Sequence, residues 1–72
     1  MNGIQIMQII LNGAAFAHDG ITTVASLLEI KEIKGGRVAV MVNDEIVKKQ
    51  WFTSTAIHEG DRVEIVHMVG GG

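Results

Sequence analysis

Gln5-Ile6-Met7-Gln8-Ile9-Ile10-Leu11-Asn12-Gly13-Ala14-Ala15-Phe16-Ala17-His18 is the stretch on which the fold turns. An apolar, β-branched run from Gln5 to Leu11 stops at Asn12-Gly13. A two-residue type I′ turn needs positive φ at both central positions, and Asn-Gly supplies it. The reading is therefore a hairpin, with Ala14–His18 as the returning strand although alanine is a weak strand former. Asp19-Gly20 is the next break.

Beyond the hairpin, Thr22 or Thr23 can cap a helix by accepting a bond from an unpaired backbone N–H. Val24, Leu27 and Leu28 form one apolar stripe at helical spacing. The stripe breaks at Lys31, which puts the helix end near residues 30–32, with Ile33 returning onto the core. Gly35-Gly36 closes that segment. Arg37–Val42 reads as a strand ending at Asn43-Asp44, and Ile46-Val47 as a short one. Residues 48–59 show no period, and Trp51 and Phe52 are expected to plug the bottom of the core. His58-Glu59-Gly60-Asp61 is a turn before a last strand, Arg62–Val69. Strands and one helix in this order predict an α+β domain, with a mixed four- to five-stranded sheet and the helix on one face. The β-grasp, or ubiquitin-like, arrangement fits that order. Residues 1–69 would form the domain, with 1–6 as an extension and 70–72 as a flexible tail.

Composition narrows the function. Seventy-two residues allow one domain, and at this size only about 60% of the unfolded chain's surface is buried. No cysteine is present, which removes thiol catalysis, disulfides and Cys-based zinc sites. A net charge of −2 with six basic residues argues against nucleic acid, whose binding rests on neutralising phosphates. No apolar stretch approaches the roughly 20 residues of a spanning helix. A soluble cytoplasmic protein is the expectation, with no membrane partner. His18, His58 and His67 lack metal-ligand spacing, so no metal site is expected. No catalytic triad pattern occurs, and Gly35-Gly36 is followed by Arg37-Val38, not by the lysine and Ser/Thr of a phosphate loop. No bound cofactor and no activity of its own are expected.

The carboxy-terminus stands apart. At average glycine usage of about 7%, three closing glycines arise by chance roughly once in 3,000 sequences. A frayed end is the plain explanation. The functional one is that Gly70-Gly71-Gly72, lacking Cβ atoms, can thread a channel too narrow for other side chains. Three residues reach about 10 Å. The terminal carboxyl, with a pKa of about 3.5, is ionised at neutral pH and is a poor electrophile. Transfer of anything to it requires activation, for which adenylation by ATP on a partner enzyme is the direct route.

Several stretches together resemble one family, the ThiS-type sulfur carriers of thiamin biosynthesis. They are Met7–Gly13, Thr23-Val24 with Leu27-Leu28-Glu29, Val38–Val47, Gln50-Trp51 and Gly60–Gly72. The resemblance implies that an E1-like adenylyltransferase activates the terminal glycine. A cysteine desulfurase then supplies sulfur through a persulfide, and thiazole synthase consumes the resulting thiocarboxylate. Carried over, Gly72 bears the adenylate and then the thiocarboxylate, while Gly70 and Gly71 thread into the partner. Lys48 departs from the family, standing where many relatives have proline, and Gly70 lengthens the usual Gly-Gly ending. Met7 stands at the usual start and is a possible alternative initiator. Other readings are a carrier like the molybdopterin-synthase small subunit, a ubiquitin-like protein modifier, and a plain interaction module. The free protein is expected to be a monomer.

Strand alternation suggests where a partner docks. Arg62 and Glu64 mark the solvent face of the last strand, which puts Val66 and Met68 beside them. Gln8 turns Ile10 outward, and with Val38, Val40 and Val42 inward, Met41 is outside. In the resembling fold the first and third strands flank the last. Ile10, Met41, Val66 and Met68 are therefore expected to form one apolar docking patch.

Overall fold

The computed structural model describes residues 6–34 and 37–68. The elements are β1 (Met7–Leu11), β2 (Ala14–His18), α1 (Val24–Ile30), β3 (Val38–Val42), β4 (Glu45–Val47), a 3₁₀ turn (Lys49–Trp51) and β5 (Arg62–His67). One mixed sheet contains all five strands in the order β2-β1-β5-β3-β4. β1 and β5 run parallel, and the other pairings are antiparallel. With α1 on one face, this is the β-grasp arrangement. β1 starts at Met7, two residues later than the sequence pattern suggested, and β4 starts one residue earlier. The glycines at 35–36 and 70–72, together with Val69, lie outside the described residues.

Both hairpins are made by turn chemistry. Asn12 and Gly13 have φ of 51° and 84°, and Asn43 and Asp44 have 52° and 71°. Two successive positive φ values define type I′ turns, whose twist matches that of the flanking strands. Asn12 has a second task. Its carboxamide accepts from the Ile65 N–H at 2.7 Å and donates to the Ile65 carbonyl at 3.3 Å. The side chain thus continues the β1 ladder along β5 past the point where β1 turns away.

Thr23 is the N-cap of α1, its hydroxyl accepting from the Ser26 N–H. The next orphan donors of the helix go elsewhere: the Val24 N–H to the Thr55 carbonyl at 3.0 Å, and the Ala25 N–H to the Phe52 carbonyl at 2.9 Å. This strap fixes residues 52–57 against the helix start and drives Phe52 and Ile57 into the core. They join Ile9, Val24, Leu27, Val40 and Val63 there, with Ile33 half-buried at the margin.

One core expectation is overturned. Trp51 does not plug the core; it is 52% exposed, whereas Phe52 is 7% exposed. Trp51 closes the 3₁₀ turn, and its carbonyl accepts from Ser54 and Thr55 N–H groups. That local bonding points its neighbour Phe52 inward and leaves the indole at the surface.

Candidate functional site

β5 is the middle strand of the five and the last element of the described chain. It is held on one side by β3 along its whole length, from Val42 opposite Val63 to Val38 opposite His67. On the other side β1 accompanies only its beginning, with Ile10 opposite Arg62 and Leu11 opposite Val63. Val63 and Ile65 are buried under α1, so residues 62, 64 and 66 face away from the helix. The Met68 N–H donates to the Arg37 carbonyl at 2.8 Å, the last ladder bond of the strand among the described residues.

Val66 and Met68 are each 53% exposed on the outer face. Val66 lies opposite Ala39, and Glu64 opposite Met41, which is half-buried and paired on its far side with Ile46. Ile46 is 74% exposed. Ala39, Met41, Ile46, Val66 and Met68 therefore make an apolar run that ends at Met68, the last described residue. Ile10 is not part of it. The parallel register sets Ile10 beside Arg62 and, on its other side, Ala15. Four residues of β5, roughly 13 Å, separate that point from Val66, with Arg62 and Glu64 between. Ile46, which replaces Ile10 in the apolar run, escaped sequence reasoning because its strand is three residues long; its place opposite Met41 is the only signal.

Along β5 the outer face carries Arg62 and Glu64 first and Val66 toward its tail end, where Arg37 lies beside Met68. Arg62 is engaged at the other end, its guanidinium donating to Asp44 at 2.8 Å. Around that end Asn43 bridges to Asp61 at 3.0 Å and accepts from the Arg62 N–H. An open groove of about 680 Å³, lined among others by Ile46, Trp51, His58 and Asp61, also lies there, away from Met68. The His18 imidazole accepts from the Gly20 N–H within its own turn. Among the described residues no three His, Asp or Glu side chains come together as metal ligands would. Among the described residues the arrangement supplies a central strand paired on both sides at its start and an apolar surface toward its end.

A small mixed sheet in the order β2-β1-β5-β3-β4 with one helix on one face defines the β-grasp class. The model of the ThiS family matches residues 9–72, and the chain belongs to that family of sulfur carriers. The crystal structure of a thiamine biosynthesis protein (ThiS) from Geobacter metallireducens superposes with a TM-score of 0.79 at 30% identity, over 92% of this chain and all of that one. A thiazole synthase of Paramagnetospirillum magneticum is 36% identical over 66 residues, which are 92% of this chain and 20% of that protein. The uncharacterized protein ycf40 of Porphyra purpurea is 32% identical over 62 residues, 86% of this chain and 87% of that protein. The chain thus spans about a fifth of the thiazole synthase it matches.

Proposed function

We propose that this chain carries sulfur as a thiocarboxylate on Gly72 and delivers it to a thiazole synthase in thiamin biosynthesis. The observation that carries this reading is the exposed apolar pair of Val66 in β5 and Met68 just after it, in a chain of the ThiS family whose sequence closes on glycines.

The chemistry follows from the terminal carboxylate. As an anion it resists nucleophiles, so one of its oxygens attacks the α-phosphorus of ATP on an E1-like adenylyltransferase, and pyrophosphate leaves. The acyl adenylate is a mixed anhydride: the outer sulfur of a persulfide originating from a cysteine desulfurase attacks its acyl carbon and AMP leaves. A thiol of the partner machinery then cleaves the S–S bond of the acyl disulfide, taking the other sulfur into a new disulfide and freeing the thiocarboxylate. Gly70 and Gly71 lack side chains and allow the carboxyl to reach the partner's active site. Val66 and Met68 dock the domain, with Met41 extending the contact; Ile10 lies outside it. The chain is a co-substrate, ATP belongs to the partner, and the cytoplasm is the compartment where these enzymes would meet it.

The test of pathway is direct. The thiocarboxylate form is offered separately to a thiazole synthase and to a molybdopterin synthase large subunit. Sulfur consumption with the first alone supports the proposal; consumption with the second alone refutes it. Removal of Gly71 and Gly72 should abolish consumption without unfolding the domain, and retained activity would favour a plain interaction module.

A further inference from the structure

The two edges of the sheet are protected to very different degrees. β4 is three residues long and runs into Lys48-Lys49, and short length and lysines both discourage strand addition. β2 forms the other edge with five residues, Ala14–His18. It carries no lysine, proline or acidic side chain, and its register with β1 is continuous from Leu11–Ala14 to Met7–His18, without a bulge.

The free hydrogen-bonding groups of β2 can be assigned. Leu11 and Ala14 flank a two-residue turn and so exchange backbone bonds with each other. In an antiparallel ladder such pairs alternate, so Phe16 and His18 also face β1. The opposite direction of β1 agrees, since the N–H groups of Ile10 and Asn12 donate toward β5. The backbone groups of Ala15 and Ala17 therefore point outward. Both residues are exposed, and among the described residues nothing pairs with them.

We propose that this edge pairs with the same edge of a second copy of the chain, antiparallel, with Phe16 at the two-fold axis. In that register Ala15 opposes Ala17 of the second copy, and each such pair exchanges two backbone bonds. The outward groups of one copy are thus complementary to those of the other with no shift. No like charges meet across it: His18 opposes Ala14, and Asp19 opposes Gly13. Phe16 is half-buried on the helix side and stacks on His18 at 6.2 Å. At a two-fold axis it meets its own copy as a directly opposed aromatic pair, a favourable cross-strand contact. Lys31, whose ammonium lies 4.8 Å from the Phe16 ring centre, is exposed and can turn into solvent. The joint leaves Val66 and Met68 open.

Five residues a side is far below the roughly 20–30 of a standard interface, so the association is weak and concentration-dependent. The monomer expected from the sequence is its dilute form. Sedimentation equilibrium should show the average mass rising about 1.5-fold or more between roughly 20 μM and 2 mM. Over that range the Ala15 and Ala17 amide resonances should move most, with intermolecular contacts between Phe16 rings. Ala17→Pro removes an outward N–H that β1 does not use, and Ala17→Lys places a charge on the edge. Either should hold the protein monomeric at 2 mM, and the lysine variant covers the case in which the proline variant fails to fold. A wild-type monomer at 2 mM overturns the proposal. So do concentration-dependent shifts centred on Ile46 or Val66, association undiminished in a folded Ala17→Lys variant, or protection of the Ala15 and Ala17 amides that does not change with concentration.

Discussion

Replacing Asn12 probes how β5 is held where its partner strand turns away. Asn12 provides two hydrogen bonds to Ile65 and occupies a positive φ of 51°. Asn12→Gly loses both bonds but keeps an easy conformation, and at about 1 kcal/mol per bond it should cost about 2 kcal/mol. Asn12→Ala loses the bonds and also forces a Cβ-bearing residue without a local polar partner into the left-handed region, for a further 1 kcal/mol or so. A domain of this size loses about 4–8 °C of Tm per kcal/mol, so the two variants should melt roughly 8–16 °C and 12–24 °C below the parent. Thermal unfolding followed by circular dichroism measures both, and hydrogen exchange at the Ile65 amide reports the bond itself. A glycine variant as stable as the parent would refute the claim that the carboxamide extends the ladder. Equal losses in the two variants would refute the strain argument.

Other expectations follow from burial. Val66→Asp or Met68→Asp should weaken binding to the activating enzyme at least tenfold, as loss of a desolvated anchor does, while Tm changes little; a large Tm loss would place these side chains in the core. Phe52→Ala should cost about 3–5 kcal/mol in a urea titration, while Trp51→Ala, at a half-exposed position, should cost about 1 kcal/mol or less. Thr23→Ala should cost about 1 kcal/mol through loss of the helix cap. Ile10→Asp should leave enzyme binding nearly unchanged, since Ile10 sits beside Arg62, away from Val66.

The local chemistry of this chain was readable in its sequence. Asn12-Gly13 and Asn43-Asp44 mark the hairpins because positive φ restricts the residues that can serve, and Val24, Leu27 and Leu28 mark the buried helix face by spacing alone. The alternation of β5 likewise separates Val63 and Ile65 from Val66. What the sequence does not carry is long-range register. That Ile10 stands beside Arg62 depends on a parallel pairing between residues 52 positions apart, and no local pattern encodes it. The strap from Phe52 to Ile57 follows the same logic: its partners are the open N–H groups of α1, so neither the burial of Ile57 nor the exposure of Trp51 shows as a period. The double role of Asn12 is hidden in the same way, since its turn preference alone already accounts for it.

The most direct measurement is the intact mass of the protein after incubation with an E1-like adenylyltransferase, ATP, a persulfide sulfur donor and a thiol reductant that cleaves the acyl disulfide. The account predicts a gain of about 16 Da, the exchange of one terminal oxygen for sulfur at an activated carboxyl, which fragmentation should localise to Gly72 and which should vanish when one residue is appended after Gly72. An unchanged mass beside a demonstrably active enzyme, or sulfur found on any other residue, would contradict it.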